Sequence, residues 1–240
     1  MFGPHTPRSR PQPGHLYDVA VVGAGVGGCE LAYRLAGRGR DVLLVTQALD
    51  TLGNLYGPDV PGAFPAGSLF ELALHRTAPR RDAWSLHRGL KELIEGTSGI
   101  HLLQSCVRGA QAGETVTLST WEGPPLRART VVLTVGAFLQ ARLQVGSVEE
   151  EAGRLSEVAY DFLAEDLSRQ GIRFDPREDE VTGNAEVPAY RVHYVVLNED
   201  ELHGTALRRL PHVHALGRCC PGEWTYARCI DVAQQLAEAL

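Results

Sequence analysis

Residues 17–28 read YDVAVVGAGVGG. The first six form a short apolar run that stops at glycine, the pattern of a parallel strand buried on both faces. The next six, Gly23-Ala24-Gly25-Val26-Gly27-Gly28, are G-x-G-x-x-G between that strand and a helical stretch, 26–38, whose Cys29, Ala32, Leu35 and Ala36 share one stripe. Gly39 ends the helix, and 41–46 (DVLLVT) is a second buried strand. Each glycine has a job: Gly23 for the tight turn, Gly25 so that backbone can approach a diphosphate, Gly28 so that helix and sheet pack closely. Free N–H groups at the helix start suit an anion, with hydrogen bonds of about 1.5–3 kcal/mol each outweighing a helix dipole worth about 0.3–1 kcal/mol. The unit therefore reads as a dinucleotide site rather than a ligand-free glycine turn. A ribose-binding acid is expected about 20 residues on. The second strand ends instead in Thr46-Gln47, and no acid comes before Asp50.

Working outward, residues 47–67 form a long Gly- and Pro-containing loop, and loops of that length are usually functional. Ser68 with Glu71 reads as a capping box. Asp82 reads as the N-cap of a helix that carries Leu86, Leu90, Leu93 and Ile94 and ends at Gly96. Residues 100–130 alternate like a three-stranded antiparallel meander (IHLLQSCV, TVTLSTW and a turn at 122–125), and 131–135 returns as a buried strand. Ser156 is expected to cap a helix to Gln170 with Val158, Phe162 and Leu163 inward. Strands are expected at 190–197 and 212–216, and a closing helix over 223–239 with Ile230, Ala233, Leu236 and Ala237 on one face. Residues 1–15 read as a disordered leader and 16–240 as one domain, with 145–210 a small inserted or substrate-side region.

Composition narrows the function. The 240 residues are 44% hydrophobic and 22% charged, which fits a folded chain rather than a disordered one. No apolar run approaches the roughly 20 residues of a membrane-spanning helix. A net charge of -6 does not support a dedicated nucleic-acid binder. Lys91 is the single lysine among 23 basic residues, a bias better explained by GC-rich codons than by anion recognition. Five cysteines with no C-x-x-C suggest neither a disulfide framework nor a zinc site, and fit a reducing cytoplasm.

Other candidates have plainer readings. Cys219-Cys220 is read as buried packing rather than a redox pair, because neighbouring Cα atoms about 3.8 Å apart strain a disulfide. His212 and His214 would share one face of a strand, but without further ligands they suggest no metal. The basic stretch from His75 to Lys91 is read as a solvated face with Trp84 packed inward. Glu149–Glu151 is read as solvated surface.

Taken together, several stretches resemble the flavin-binding part of the glucose-inhibited division protein A family. Those proteins are the FAD subunit of the tRNA wobble-uridine carboxymethylaminomethyl-modifying enzyme. The stretches are 23–30 (GAGVGGCE), 43–46 (LLVT), 50–53 (DTLG), Leu103-Gln104 with Val107, 131–139 (VVLTVGAFL), Gly146 and 152–154 (AGR). They span roughly 17–175, with a weaker return at 213–239, and the string at 132–139 is the most specific. The chain looks most similar to the short division-protein-A-related proteins.

The resemblance implies an α/β fold of the FAD-linked Rossmann type: a doubly wound parallel sheet with a small antiparallel meander. It implies FAD, with Gly23, Ala24, Gly25, Val26, Gly27 and Gly28 at the diphosphate, Thr46 and Gln47 at the adenosine ribose, and Val107 offering backbone to the adenine. By the same analogy Thr134, Val135 and Gly136 pass the dinucleotide, while Gly217, Gly222 and Tyr226 approach the ribityl chain and flavin, and Arg154 faces substrate. The family's Cys-Asn-Pro stretch is replaced by 54–58 (NLYGP), and its Lys-Thr-Gly-Thr-Pro-Pro-Arg stretch by the acidic 175–188. Its nicotinamide-binding insertion and C-terminal helical part are expected to be missing. The expected function is an FAD-dependent oxidoreductase acting with a small-molecule substrate and an electron donor. The alternatives are a tRNA-modification accessory and a non-catalytic FAD-binding module; tRNA and a second copy of the chain stay open as partners.

Overall fold

The computed structural model describes residues 14–121 and 123–240. The expected leader lies outside them except for its last two residues, and so does Glu122. Strand β1 (Leu16–Val22) leads through the glycine turn into helix α1 (Val26–Gly37), and β2 (Val42–Thr46) comes next. Two amphipathic helices, α2 (Leu69–Arg76) and α3 (Ala83–Glu95), start at the expected caps: Ser68 Oγ accepts from the Glu71 amide at 3.1 Å, and Asp82 from the Ser85 amide at 2.8 Å. The Glu71 carboxylate reaches back to the Gly67 amide at 2.6 Å and closes the first cap.

Next come β3 (Ile100–Gln104), β4 (Val107–Gln111), β5 (Val116–Thr120) and β6 (Leu126–Leu133). The chain continues through β7 (Arg142–Val145), β8 (Val148–Glu150), the hairpin β9 (Ala152–Arg154) and β10 (Glu157–Val158), and α4 (Asp161–Arg169). After β11 (Phe174–Val181), β12 (Tyr190–Leu197), β13 (Leu202–His203), β14 (Ala206–Leu207) and β15 (Val213–Ala215), helix α5 (Tyr226–Ala239) closes the fold.

The central sheet runs β13-β14-β15-β6-β1-β2-β3, with β15, β6, β1, β2 and β3 mutually parallel. Alternation decides which residue faces which layer. On β1, Val19 and Val21 meet α1, α2, α3 and α5, whereas Ala20 and Val22 face the layer of β4, β5 and α4. On β2, Val42 and Leu44 take the first side and Leu43 and Val45 the second, and all five residues of β2 are buried. Burying each of these side chains is worth about 1.5–3 kcal/mol, so a strand sandwiched between two layers must be apolar throughout. A second sheet, β11-β12-β7-β8, is antiparallel, and β9–β10 forms a separate hairpin.

Several expectations are corrected. Residues 100–104 are not the first meander strand: β3 pairs in parallel with β2 and forms the sheet edge, and the meander is β4-β5-β6. β6 is one continuous strand whose first half pairs with β5 and whose second half lies between β1 and β15. Ser156 caps no helix. It sits in the β9–β10 turn with φ +62, and α4 begins at Asp161. Val158 and Phe162 are therefore exposed rather than inward, with the Arg108 guanidinium over the Phe162 ring at 4.4 Å, while Leu163 is buried. His212 has φ +63 and precedes β15, so it does not share a strand face with His214. Trp84 is 60% exposed, under Arg88, not packed inward. Among the described residues no helix is long and apolar enough to cross a membrane.

One buried carboxylate ties the helical layer together. Glu30, on α1, is fully buried and accepts from the Leu69 amide at 2.8 Å, Arg34 Nε at 2.9 Å and Gln234 Nε2 at 2.9 Å. It links α1 to the start of α2 and to α5. Glu30→Ala leaves buried donors without acceptors and is expected to cost about 1–3 kcal/mol in urea unfolding; a surface-like change within about 0.5 kcal/mol would contradict this role.

Candidate functional site

Strands β1 and β6 lie side by side, but the chain moves from β1 towards β2 and β3 on one side and reaches β6 and β15 on the other. Beyond the carboxyl ends of these strands lies the switch point where α/β sheets bind ligands. A crevice of about 920 Å³, counted to its open mouth, occupies it. Its floor is Gly23, Ala24, Gly25, Val26 and Gly27 after β1, Thr46 and Gln47 at the end of β2, Thr134, Val135 and Gly136 after β6, and Leu216 and Gly217 after β15.

The glycine turn is held from below. Gly23 N–H donates to Val45 O at 2.8 Å, and the Thr134 hydroxyl lies 2.6 Å from Gly23 O. Gly23 has φ +103, and a Cβ there would sit 2.6 Å from Thr134 O. A Cβ at Gly28 would fall 2.0 Å from Gly23 O, whereas one at Gly25 meets nothing within 4 Å and enters the crevice. Gly25 caps α1 without a side-chain bond, and the first helical bond is Cys29 N to Gly25 O at 2.9 Å. The amides of Val26, Gly27 and Gly28 thus have no intrahelical acceptor. No acidic residue stands in that first turn, so an anion is the natural complement.

The far wall comes from the long loop. Gly53 N–H donates to Ala24 O at 2.7 Å, and Gly57 N–H to Tyr226 Oη at 2.8 Å. These bonds bring Thr51, Asn54, Leu55 and Tyr56 onto the crevice. With its amide oxygen turned to the guanidinium, Asn54 accepts from both terminal nitrogens of Arg154, at 3.1 and 3.2 Å. Arg154 Nη1 lies 3.3 Å from Glu157 Oε1. Burial raises the Glu157 carboxyl above its ordinary value, against the pull of Arg154.

At the β15 end, Arg218 stacks on the Tyr56 ring at 3.6 Å and pairs with Asp179, which also accepts from Tyr194. Burial pushes the Asp179 carboxyl up, but the bonds from Tyr194 and Arg218 outweigh it and hold it low. Burial raises the Tyr56 phenol. Three buried side-chain atoms lack a hydrogen-bond partner among the described residues: Tyr56 Oη, Glu157 Oε1 and Arg218 Nε. All three belong to residues lining this crevice. Unsatisfied buried groups are costly, and all three sit in the wall of one cavity.

Of the residues singled out in the sequence, Gly28, Val107 and Gly222 do not line the crevice. Gly28 lies behind the turn, Val107 is buried at the start of β4, and Gly222 (φ +85) takes an Arg177 hydrogen bond before α5. Asn54, Tyr56, Glu157, Arg218 and Trp224 line it without having been singled out. Only their late convergence in space connects them. Cys219 and Cys220 are buried off the crevice, the Cys219 thiol 3.4 Å from Leu216 O, and the Cys220 thiol is raised by Cys219 and by burial. Neutral buried thiols are inert.

A family model described as glucose inhibited division protein A matches residues 18–71 and 72–177. The chain belongs to that family. A GidA-related protein from Thermus thermophilus is 43% identical in sequence and superposes with a TM-score of 0.84, over 93% of this chain and 97% of that one. The tRNA uridine 5-carboxymethylaminomethyl modification enzyme MnmG of Chlamydia trachomatis is 33% identical over 185 residues, which is 65% of this chain and 30% of the relative. The chain thus spans about 30% of the length of the curated relatives it matches. GidA of Aquifex aeolicus, at 15% identity and a TM-score of 0.79, shares the fold. The fold is α/β with a largely parallel Rossmann-type sheet, as the fingerprint implied.

Two glycines of the family fingerprint separate packing from ligand space. Gly28→Ala forces a methyl group onto Gly23 O and is expected to cost about 1–3 kcal/mol or more, while Gly25→Ala leaves thermal unfolding almost unchanged. Equal effects of the two substitutions on Tm would contradict the assignment.

Proposed function

We propose that the chain binds FAD in this crevice and acts as an oxidoreductase whose chemistry is related to tRNA wobble-uridine modification. The observation that carries this reading is the glycine turn at the switch point, with open space over Gly25 and unpaired amides opening α1. FAD, when bound, supplies an acceptor and donor of electrons or hydride.

The chain's own residues do the rest. The Val26 and Gly27 amides hold the diphosphate, and Gly23 and Gly28 let the turn and helix close beneath it. Thr46 and Gln47 meet the adenosine ribose, and Thr134, Val135 and Gly136 form the floor between the two halves. Gly217 leaves room at the ribityl chain, and Gly222 sets the turn into α5, whose Thr225 cap accepts from Arg228 N–H at 3.2 Å. Tyr226, with Trp224, walls the ring end. Arg218 and Tyr56 line that end as well, a cation and a phenol beside the polar ring edge. A small-molecule substrate and an electron donor would enter at the open mouth.

FAD fluorescence quenching on titrating the cofactor-free chain tests this. Wild type is expected to bind one FAD, and Gly25→Val to bind about 100-fold more weakly or worse through loss of two or more charge-assisted bonds, while staying folded. Unchanged affinity in that variant, or no binding by wild type, would overturn the proposal. Bound FAD that no donor and acceptor pair turns over would reduce the chain to a carrier.

A second reading, an accessory of tRNA modification, draws on the MnmG relatives and on the exposed Trp84–Arg88 face. It requires tRNA binding that weakens steeply with salt. Trp84→Ala is then expected to weaken it about 10-fold; a filter-binding assay that detects no complex at low salt removes this reading.

A further inference from the structure

The glycine fingerprint calls for a carboxylate at the ribose, and β2 does not provide one. Thr46 and Gln47 stand at its end, and Asp50 is turned out to solvent, its side chain 97% exposed and 3.5 Å from Lys91 Nζ. A different carboxylate reaches the same place. Glu157, on β10, is only 17% exposed at its side chain and lines the crevice together with Gln47 and Thr51. Its Oε1 is shielded and turned towards Arg154 Nη1, 3.3 Å away.

The position of β10 fixes which part of a dinucleotide this carboxylate meets. Glu157 lines the crevice over the glycine turn, while the next residue, Val158, lines an adjoining hollow with Gln104, Ser105, Cys106 and Trp121. Gln47 borders both. The end of β2 and β10 together therefore mark the junction of the two cavities. A dinucleotide with its diphosphate on the glycine turn and its base in the hollow, beside the half-exposed Trp121 ring, has its ribose at that junction.

We infer that Glu157 is the ribose-binding carboxylate of this site, delivered by the β9–β10 hairpin in place of the acid missing from β2. The inference rests on the dinucleotide reading above and deepens it. Backbone bonds anchor the hairpin in that position: Tyr160 N–H donates to Phe138 O at 2.7 Å and Ala159 N–H to Glu151 O at 3.0 Å. Arg154, itself held by Asn54, lies against Glu157 Oε1 and favours the ionised form that accepts from ribose hydroxyls.

Calorimetric titration of the cofactor-free full chain with ADP and with 2′,3′-dideoxy-ADP tests this. Wild type is expected to bind the dideoxy compound about 10-fold more weakly or worse, the cost of one or more bonds to a charged acceptor. Glu157→Ala is expected to bind the two alike and to bind FAD about 10-fold more weakly, with the visible spectrum of bound flavin unshifted because the ribose is remote from the ring. Should the alanine variant fail to fold, Glu157→Gln keeps the shape and removes the charge, and its discrimination should fall severalfold. Wild-type discrimination retained in the folded variant overturns the assignment. So does a shifted flavin spectrum, which would place the carboxylate at the ring. A wild-type chain that takes neither FAD nor ADP overturns the underlying function as well.

Discussion

The structure depends on one local constraint: helix α1 opens without a side-chain cap, directly after a strand buried between two layers. Gly25 at the cap leaves the first amides of the helix facing the crevice, and a glycine cap costs a helix a few tenths of a kcal/mol relative to Ser, Thr, Asp or Asn. The surrounding packing compensates. Thr134 holds Gly23 O from the neighbouring strand, Gly28 lets the helix settle on the turn, and Glu30 fastens the other side of α1 to α2 and α5. A rigid frame around a deliberately unfinished helix end is how an anion site is preorganised.

The rest of the site is assembled onto that frame from distant sequence. The loop after β2 is pinned at Ala24 and Tyr226, the β9–β10 hairpin reaches over through Arg154 and Glu157, and Arg218 after β15 brings Asp179 and Tyr194 from the second sheet. Each of these side chains belongs to an element that another part of the fold has carried to the strand ends. The second sheet, whose β11 is built of 174–181 (FDPREDEV), thereby gains a reason for its charge: Asp179 is the anchor that keeps Arg218 aimed across Tyr56.

Legibility followed the range of the interactions. The β1-α1-β2 unit, the caps at Ser68 and Asp82 and the closing helix rest on local rules of periodicity and capping, and residues 17–46 and 226–239 showed them clearly. The meander was misread by one strand because alternation in 100–104 looks the same whether the partner is parallel or antiparallel; β2 decided it. Ser156 looked like a cap because Ser before an apolar run usually is one, yet Glu157 and Val158 found strand partners in β9. β11 was missed because its Asp, Glu and Arg residues hide a strand whose charges pair within its own sheet, Arg177 with Asp179 and Glu178 with His193, and with Arg218 after β15. Tyr56, Glu157 and Arg218 carried no local signal, since what distinguishes each is a partner or cavity far along the chain.

The central claim is that the opening amides of α1 seat a diphosphate. The most direct measurement is electron density for the chain crystallised with FAD. The account predicts a diphosphate over residues 23–28, its oxygens within hydrogen-bonding reach of the Val26 and Gly27 amides and above the bare Cα of Gly25. A dinucleotide bound with its diphosphate elsewhere, or a crevice holding a ligand that leaves those amides to water, would contradict it.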